Sequence, residues 1–114
     1  MIQEDGLYLS DIYDSILRIE DYVKDGRERF MNTRMIQDAV MRNLEVIGEA
    51  TKRLSDSLKQ ENPDIPWKQM AGLRDVLIHG YRKVALPRVW NVIEQNLPFL
   101  KERVKGLLDR LDNA

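Results

Sequence analysis

At 114 residues, of which 43% are hydrophobic and 32% charged, the chain has the size and make-up of one globular domain, 1–114, and is too short for two independent cores. It holds no cysteine and one histidine, which excludes a disulfide framework or thiolate metal site, and no metal or other cofactor is expected. A formal net charge of −1 excludes a protein that coats nucleic acid by bulk charge, since such affinity comes from many phosphate contacts by Lys and Arg.

Leu9, Ile12, Ile16, Ile19 and Val23 recur at steps of three and four, which predicts a first helix with one apolar face, stopped by Asp25-Gly26. Ile36, Val40, Leu44, Ile47, Thr51, Leu54 and Leu58 keep the same rhythm and predict the longest helix, with Asn32 or Thr33 available as its N-cap. Gly48, beside Ile47, either admits a neighbouring helix or is simply tolerated. The stretch ENPDIPW ends the pattern, because Pro63 and Pro66 disfavour a helix on either side. Trp67 to Gly80 predicts a short helical segment and a second helix jointed at Gly72, with Gly80 in the left-handed position that closes it. Pro87 fits the first turn of a last helix, where its missing N–H is not required. That helix has the stripe Val89, Ile93, Leu97, Leu100, Val104, Leu107 or Leu108, and Leu111, and Pro98 inside it predicts a kink or a split.

Such helices are stable only when their apolar stripes pack together. No segment shows the strict alternation of a half-buried strand. The expected fold class is therefore all-α, a four-to-five-helix up-and-down bundle. Trp67 and Trp90, each near a helix start, read as hydrophobic anchors, and Met31, Met35, Met41 and Met70 as core filler or interface. Nowhere do about 18 apolar residues run together, and the acidic start MIQEDGLYLSDIYD has no basic region followed by an apolar stretch. No membrane partner is expected, and the cytoplasm is the expected location.

Charge is unevenly spread. Residues 67–90 hold Lys68, Arg74, Arg82, Lys83 and Arg88 against Asp75 alone, a net +4 that leaves −5 for the remainder. At the centre of this window, LRDVLIHGY contains the only histidine, His79. With Leu73 at zero and about 100° per residue, Leu73, Val76, Leu77 and Gly80 share a core face, while Asp75, His79 and Arg82 lie opposite. Ile78 then falls between Arg74 and Asp75, away from the core, and calls for cover by a second surface, for which a symmetric dimer is the simplest source. Asp75 and His79 are four apart, so the carboxylate can accept a hydrogen bond from the imidazole and fix its tautomer.

Arg74, His79 and Tyr81 form an R-x4-H-x-Y pattern, and with it the sequence resembles the HepT-like toxins of the HEPN superfamily. The likeness extends through QDAVMRNLEVIGEATKRLSDSL, PDIPWKQMAGLRDVLIHGY and VWNVIEQNLPFLKERVKGLL, and ILRIEDYVKD is similar to the family's first helix. The resemblance implies a homodimeric HEPN-like bundle with the two motifs facing one another and a metal-independent ribonuclease activity. It also implies a toxin role opposed by a minimal nucleotidyltransferase antitoxin that transfers AMP to the motif tyrosine. On these positions Arg74 and His79 would be catalytic, Asp75 would take a polar position often held by asparagine, and Tyr81 would be the modification site. The stretch after Tyr81, Arg82 to Leu86, departs from the family in lacking an aromatic-glycine and acidic pattern.

The chemistry is consistent with one histidine per chain. Metal-free RNA cleavage needs a base for the attacking 2′-hydroxyl, an acid for the leaving oxygen and positive charge on the phosphorane. A dimer supplies two His79 rings and two Arg74 guanidinium groups. Arg82 and Lys83 are the RNA-contact candidates. Two alternatives stay open at this stage: a non-catalytic helical interaction module that binds and regulates a nucleotidyltransferase, and a helical dimer with no site.

Overall fold

The computed structural model describes residues 3–73 and 85–112, and every regular element among them is helical, as the apolar spacing predicts. The first is α1 (Gln3–Tyr22). Leu9, Ile12, Ile16 and Ile19 on its predicted face are fully buried. Gly26 then takes φ 99° and ψ 180°, backbone that only glycine adopts without strain, and turns the chain into α2 (Arg27–Asn32). The apolar spacing does not announce α2, because it buries a single side chain, Phe30, and one residue makes no period.

Thr33 closes α2 and opens α3 (Arg34–Arg53) with extended backbone. It stands at the predicted N-cap position, although its side chain makes no capping bond. Gln37 reaches back instead and donates Nε2 to the carbonyls of Phe30 at 2.9 Å and Met31 at 3.2 Å, groups at the end of α2.

The long helix predicted from Ile36 to Leu58 is divided. Leu54 and Ser55 are both extended, and α4 (Asp56–Glu61) starts afresh after them. The Ser55 hydroxyl accepts from the Leu58 N–H at 3.3 Å, the bond of an N-cap. Its own N–H and Oγ donate to the buried Asp5 carboxylate at 2.8 and 2.6 Å. Thr51, Leu54 and Leu58 nevertheless stay buried. The apolar rhythm survives a break whose cause sits on α1.

Helix α5 (Trp67–Ala71) follows the proline-rich turn and has Gly72, the predicted joint, as its C-cap. Helix α6 (Ala85–Asn91) carries Pro87 in its first turn as foreseen. A π-helical turn, Val92–Asn96, leads from it into α7 (Leu97–Asp112). Pro98 lacks the N–H that would reach the Glu94 carbonyl and its ring crowds that oxygen, so the predicted kink takes the form of a wider turn. The same turn suits the consecutive four-residue steps Val89, Ile93 and Leu97, all buried, which would drift round the face of a regular α-helix. Leu107 is buried and Leu108 half-buried, which decides the choice the sequence left open.

Helix α1 packs along α3 and α7, α5 lies on α3, and α6 meets α2. Met41 and Met70 are core residues, whereas Met35 is 81% exposed and fills no core. Its place two residues after Thr33, in the first turn of α3, turns it outward even though it is the immediate neighbour of Ile36.

Candidate active site

Arg74, Asp75, Ile78, His79, Tyr81, Arg82 and Lys83, together with Gly80, lie outside the described residues. The described residues form the frame that holds the two ends of this segment.

The upstream end is braced by the PDIPW turn. Buried Asn62 closes α4 and donates Nδ2 to the Leu58 carbonyl at 3.0 Å, while its own carbonyl accepts the indole N–H of buried Trp67 at 2.9 Å. Two residues on, Asp64 receives a two-pronged contact from α7: Arg103 Nε donates to Oδ2 at 2.9 Å and Nη2 to Oδ1 at 3.0 Å. The same Nη2 reaches Asn62 Oδ1 at 3.2 Å. The hydrogen bond from Arg103, reinforced by its charge, holds the Asp64 carboxyl below the usual carboxylate value. Trp67 and Met70 face the core, and half-buried Leu73 packs against it immediately before Arg74. The chain up to Leu73 is thereby tied to α4 and α7 through one turn.

The downstream end is fixed by packing. Val89 is buried, Leu86 packs against the core, and the Trp90 ring lies 5.5 Å from that of Phe30 at a 37° tilt. The Trp90 N–H also donates to Glu94 Oε2 at 3.3 Å. Both tryptophans therefore serve as anchors, Trp67 at the start of α5 as expected but Trp90 at the end of α6 and not near a helix start, and α2 has a purpose as the floor under Trp90. A further pairing, Lys101 to Glu20 at 2.9 Å, ties α7 to α1 and raises the lysine above its ordinary pKa through the hydrogen bond and charge of Glu20.

Sequence reasoning did not find Asn62, Asp64 or Arg103. Their partnership spans about forty positions and leaves no local pattern, the only trace being that ENPDIPW breaks the helix where a brace is needed. Beside Leu73 a groove of about 560 Å³ opens between α5 and the π turn. Among the described residues no group of three or more His, Asp or Glu is arranged to hold a metal ion, and no helix is long and apolar enough to cross a membrane.

The chain matches the family described as "Ribonuclease HepT-like" over residues 12–107, a span that contains Arg74, His79 and Tyr81. It belongs to the HepT-like family. HepT-like relatives repeat the likeness over most of its length. A Thermococcus cleftensis protein named "Probable ribonuclease HepT" is 39% identical over 101 residues, 88% of this chain and 92% of the relative. A Methanocaldococcus jannaschii protein named "Putative RNase" is 35% identical over 99 residues, 86% of this chain and 91% of its own. Another from the same organism, named "Gamma-glutamylcyclotransferase and putative RNase", is 41% identical over 107 residues, 93% of this chain; the match spans 48%, about half, of that larger relative. No solved structure matches this HepT-like chain.

Proposed function

We propose that this HepT-like chain is a metal-independent endoribonuclease, the toxin of a toxin–antitoxin pair, with a composite site formed where two subunits meet. The observation that carries the reading is the family match over residues 12–107, within which Arg74, His79 and Tyr81 keep the R-x4-H-x-Y spacing. The frame supports it: α5 and α6, on either side of the motif, are both fixed to the bundle by buried side chains, as a site that must hold its geometry requires.

In the proposed reaction the 2′-oxygen of one nucleotide attacks the adjacent phosphorus as His79 of one subunit takes its proton. The P–O5′ bond breaks, and protonated His79 of the partner subunit delivers a proton to the departing oxygen. The products are a 2′,3′-cyclic phosphate and a 5′-hydroxyl. The pair of Arg74 side chains stabilises the charge that builds on the phosphorane oxygens. Asp75 orients the imidazole, Ile78 lies in the dimer interface, and Arg82 with Lys83 draw in the RNA backbone. Cytoplasmic RNA is the substrate. A nucleotidyltransferase antitoxin neutralises the toxin by transferring AMP from ATP to the Tyr81 oxygen, which forms an O–P bond as the bond to the leaving pyrophosphate breaks and the hydroxyl proton is released.

End-labelled RNA incubated with the purified chain in excess EDTA tests the reading. Native protein yields 2′,3′-cyclic ends, and His79→Ala lowers the rate at least 100-fold, in line with loss of general acid–base catalysis. Equal cleavage by both proteins, or none by the native chain, overturns it.

A further inference from the structure

The groove beside Leu73 has walls that suit one kind of guest. Its apolar side includes Met70, Leu73 and Phe99, the last 45% exposed, and its polar side is made by three carboxamides, Gln69 of α5 with Gln95 and Asn96 of the π turn. None of its described lining residues carries a formal charge. Its volume of about 560 Å³ falls among those of small-molecule sites. Another groove, between α1 and α3, is lined by Asp11, Glu45 and Glu49 as well as Arg42 and Arg53, and its carboxylates oppose nucleic acid.

A slot whose described lining is uncharged, with an aromatic face and carboxamide edges, matches a neutral, flat ligand that sets a hydrogen-bond donor beside an acceptor. Phe99 offers a surface on which a base can stack. Each carboxamide supplies an acceptor next to two N–H donors, a pair that fits the N6 and N7 edge of adenine. Gln95 already donates Nε2 to Glu94 Oε1 at 3.2 Å, which orients the group and leaves its oxygen and second N–H for a ligand. The π turn adds a second reason. Such turns are frequent at functional sites, and this one presents Gln95 and Asn96 together at the groove.

We infer that this groove is a nucleobase subsite, taking one unpaired base of the RNA next to the phosphate cleaved at the motif, with adenine favoured. The inference rests on the ribonuclease reading, because Leu73 is joined directly to Arg74. It makes Gln69, Gln95 and Asn96 specificity-determining residues for that reaction.

The test is a titration of the full ¹⁵N-labelled chain with adenosine, guanosine, cytidine and uridine, followed through the side-chain amide signals of these three residues. Adenosine shifts them saturably and more tightly than the other three nucleosides, and Gln95→Ala/Asn96→Ala weakens adenosine binding roughly ten-fold. In parallel the double variant loses the native preference for cutting next to adenine in a mixed-sequence RNA. The inference is overturned if no nucleoside moves the signals, or if they move on dilution of the protein alone, which means that a second copy fills the groove. Absence of cleavage by the native chain strikes the ribonuclease reading instead, and the titration still decides whether the groove binds a base.

Discussion

Trp67 anchors the turn that precedes the R-x4-H-x-Y pattern. Its N–H satisfies the carbonyl of buried Asn62, and the same turn carries Asp64 to Arg103. Trp67→Phe keeps an aromatic ring but removes the indole donor and leaves that carbonyl with the Ile65 N–H alone, so the chain loses about 0.5–1.5 kcal/mol of stability in urea unfolding. Asp64 supplies a pH signature. Its carboxyl is held below the ordinary value by Arg103, so its contribution is fully present above the usual carboxylate range and is lost as pH falls through the lowered folded value. Melting temperatures recorded from neutral to strongly acid pH drop less steeply at the acid end for Asp64→Asn than for the native chain. The R-x4-H-x-Y pattern is legible in the sequence, since an arginine, the only histidine and a tyrosine sit within eight positions. The brace was not, because Asn62 and Arg103 are ordinary surface-type residues until the fold brings them to 3.2 Å.

Among the elements, the sequence reveals those that bury a repeating face. Helices α1, α3 and α7 follow their apolar stripes, and the two prolines and Gly72 set the limits of α5. Two features escape. Helix α2 buries Phe30 alone, and the break at Ser55 depends on Asp5, which no pattern around residue 55 discloses. Pro98 announced a disturbance without its form, and the π turn emerges from the proline together with the four-residue spacing of the core residues around it. The joint between α1 and α2 gives a clean test of backbone strain. A Cβ placed on Gly26 meets nothing within 4 Å, yet φ is +99°. Gly26→Ala therefore costs about 1–3 kcal/mol by conformation alone, measurable by thermal unfolding.

Across the whole molecule the charge is divided along the chain. Residues 1–25 hold seven acidic groups against Arg18 and Lys24, a net −5, while residues 67–90 hold +4, so the near-zero total conceals two opposed regions. On the proposed function this directs an RNA towards the motif and away from α1, an effect that salt weakens. A single histidine per chain makes the subunit count the central matter, since one ring cannot be base and acid in the same step. The decisive measurement is RNA cleavage by native chain mixed with His79→Ala chain in varied proportion, after full subunit exchange and at constant total protein. If each cleft needs His79 from both subunits, activity follows the square of the native fraction. A straight-line fall with that fraction would contradict the composite site.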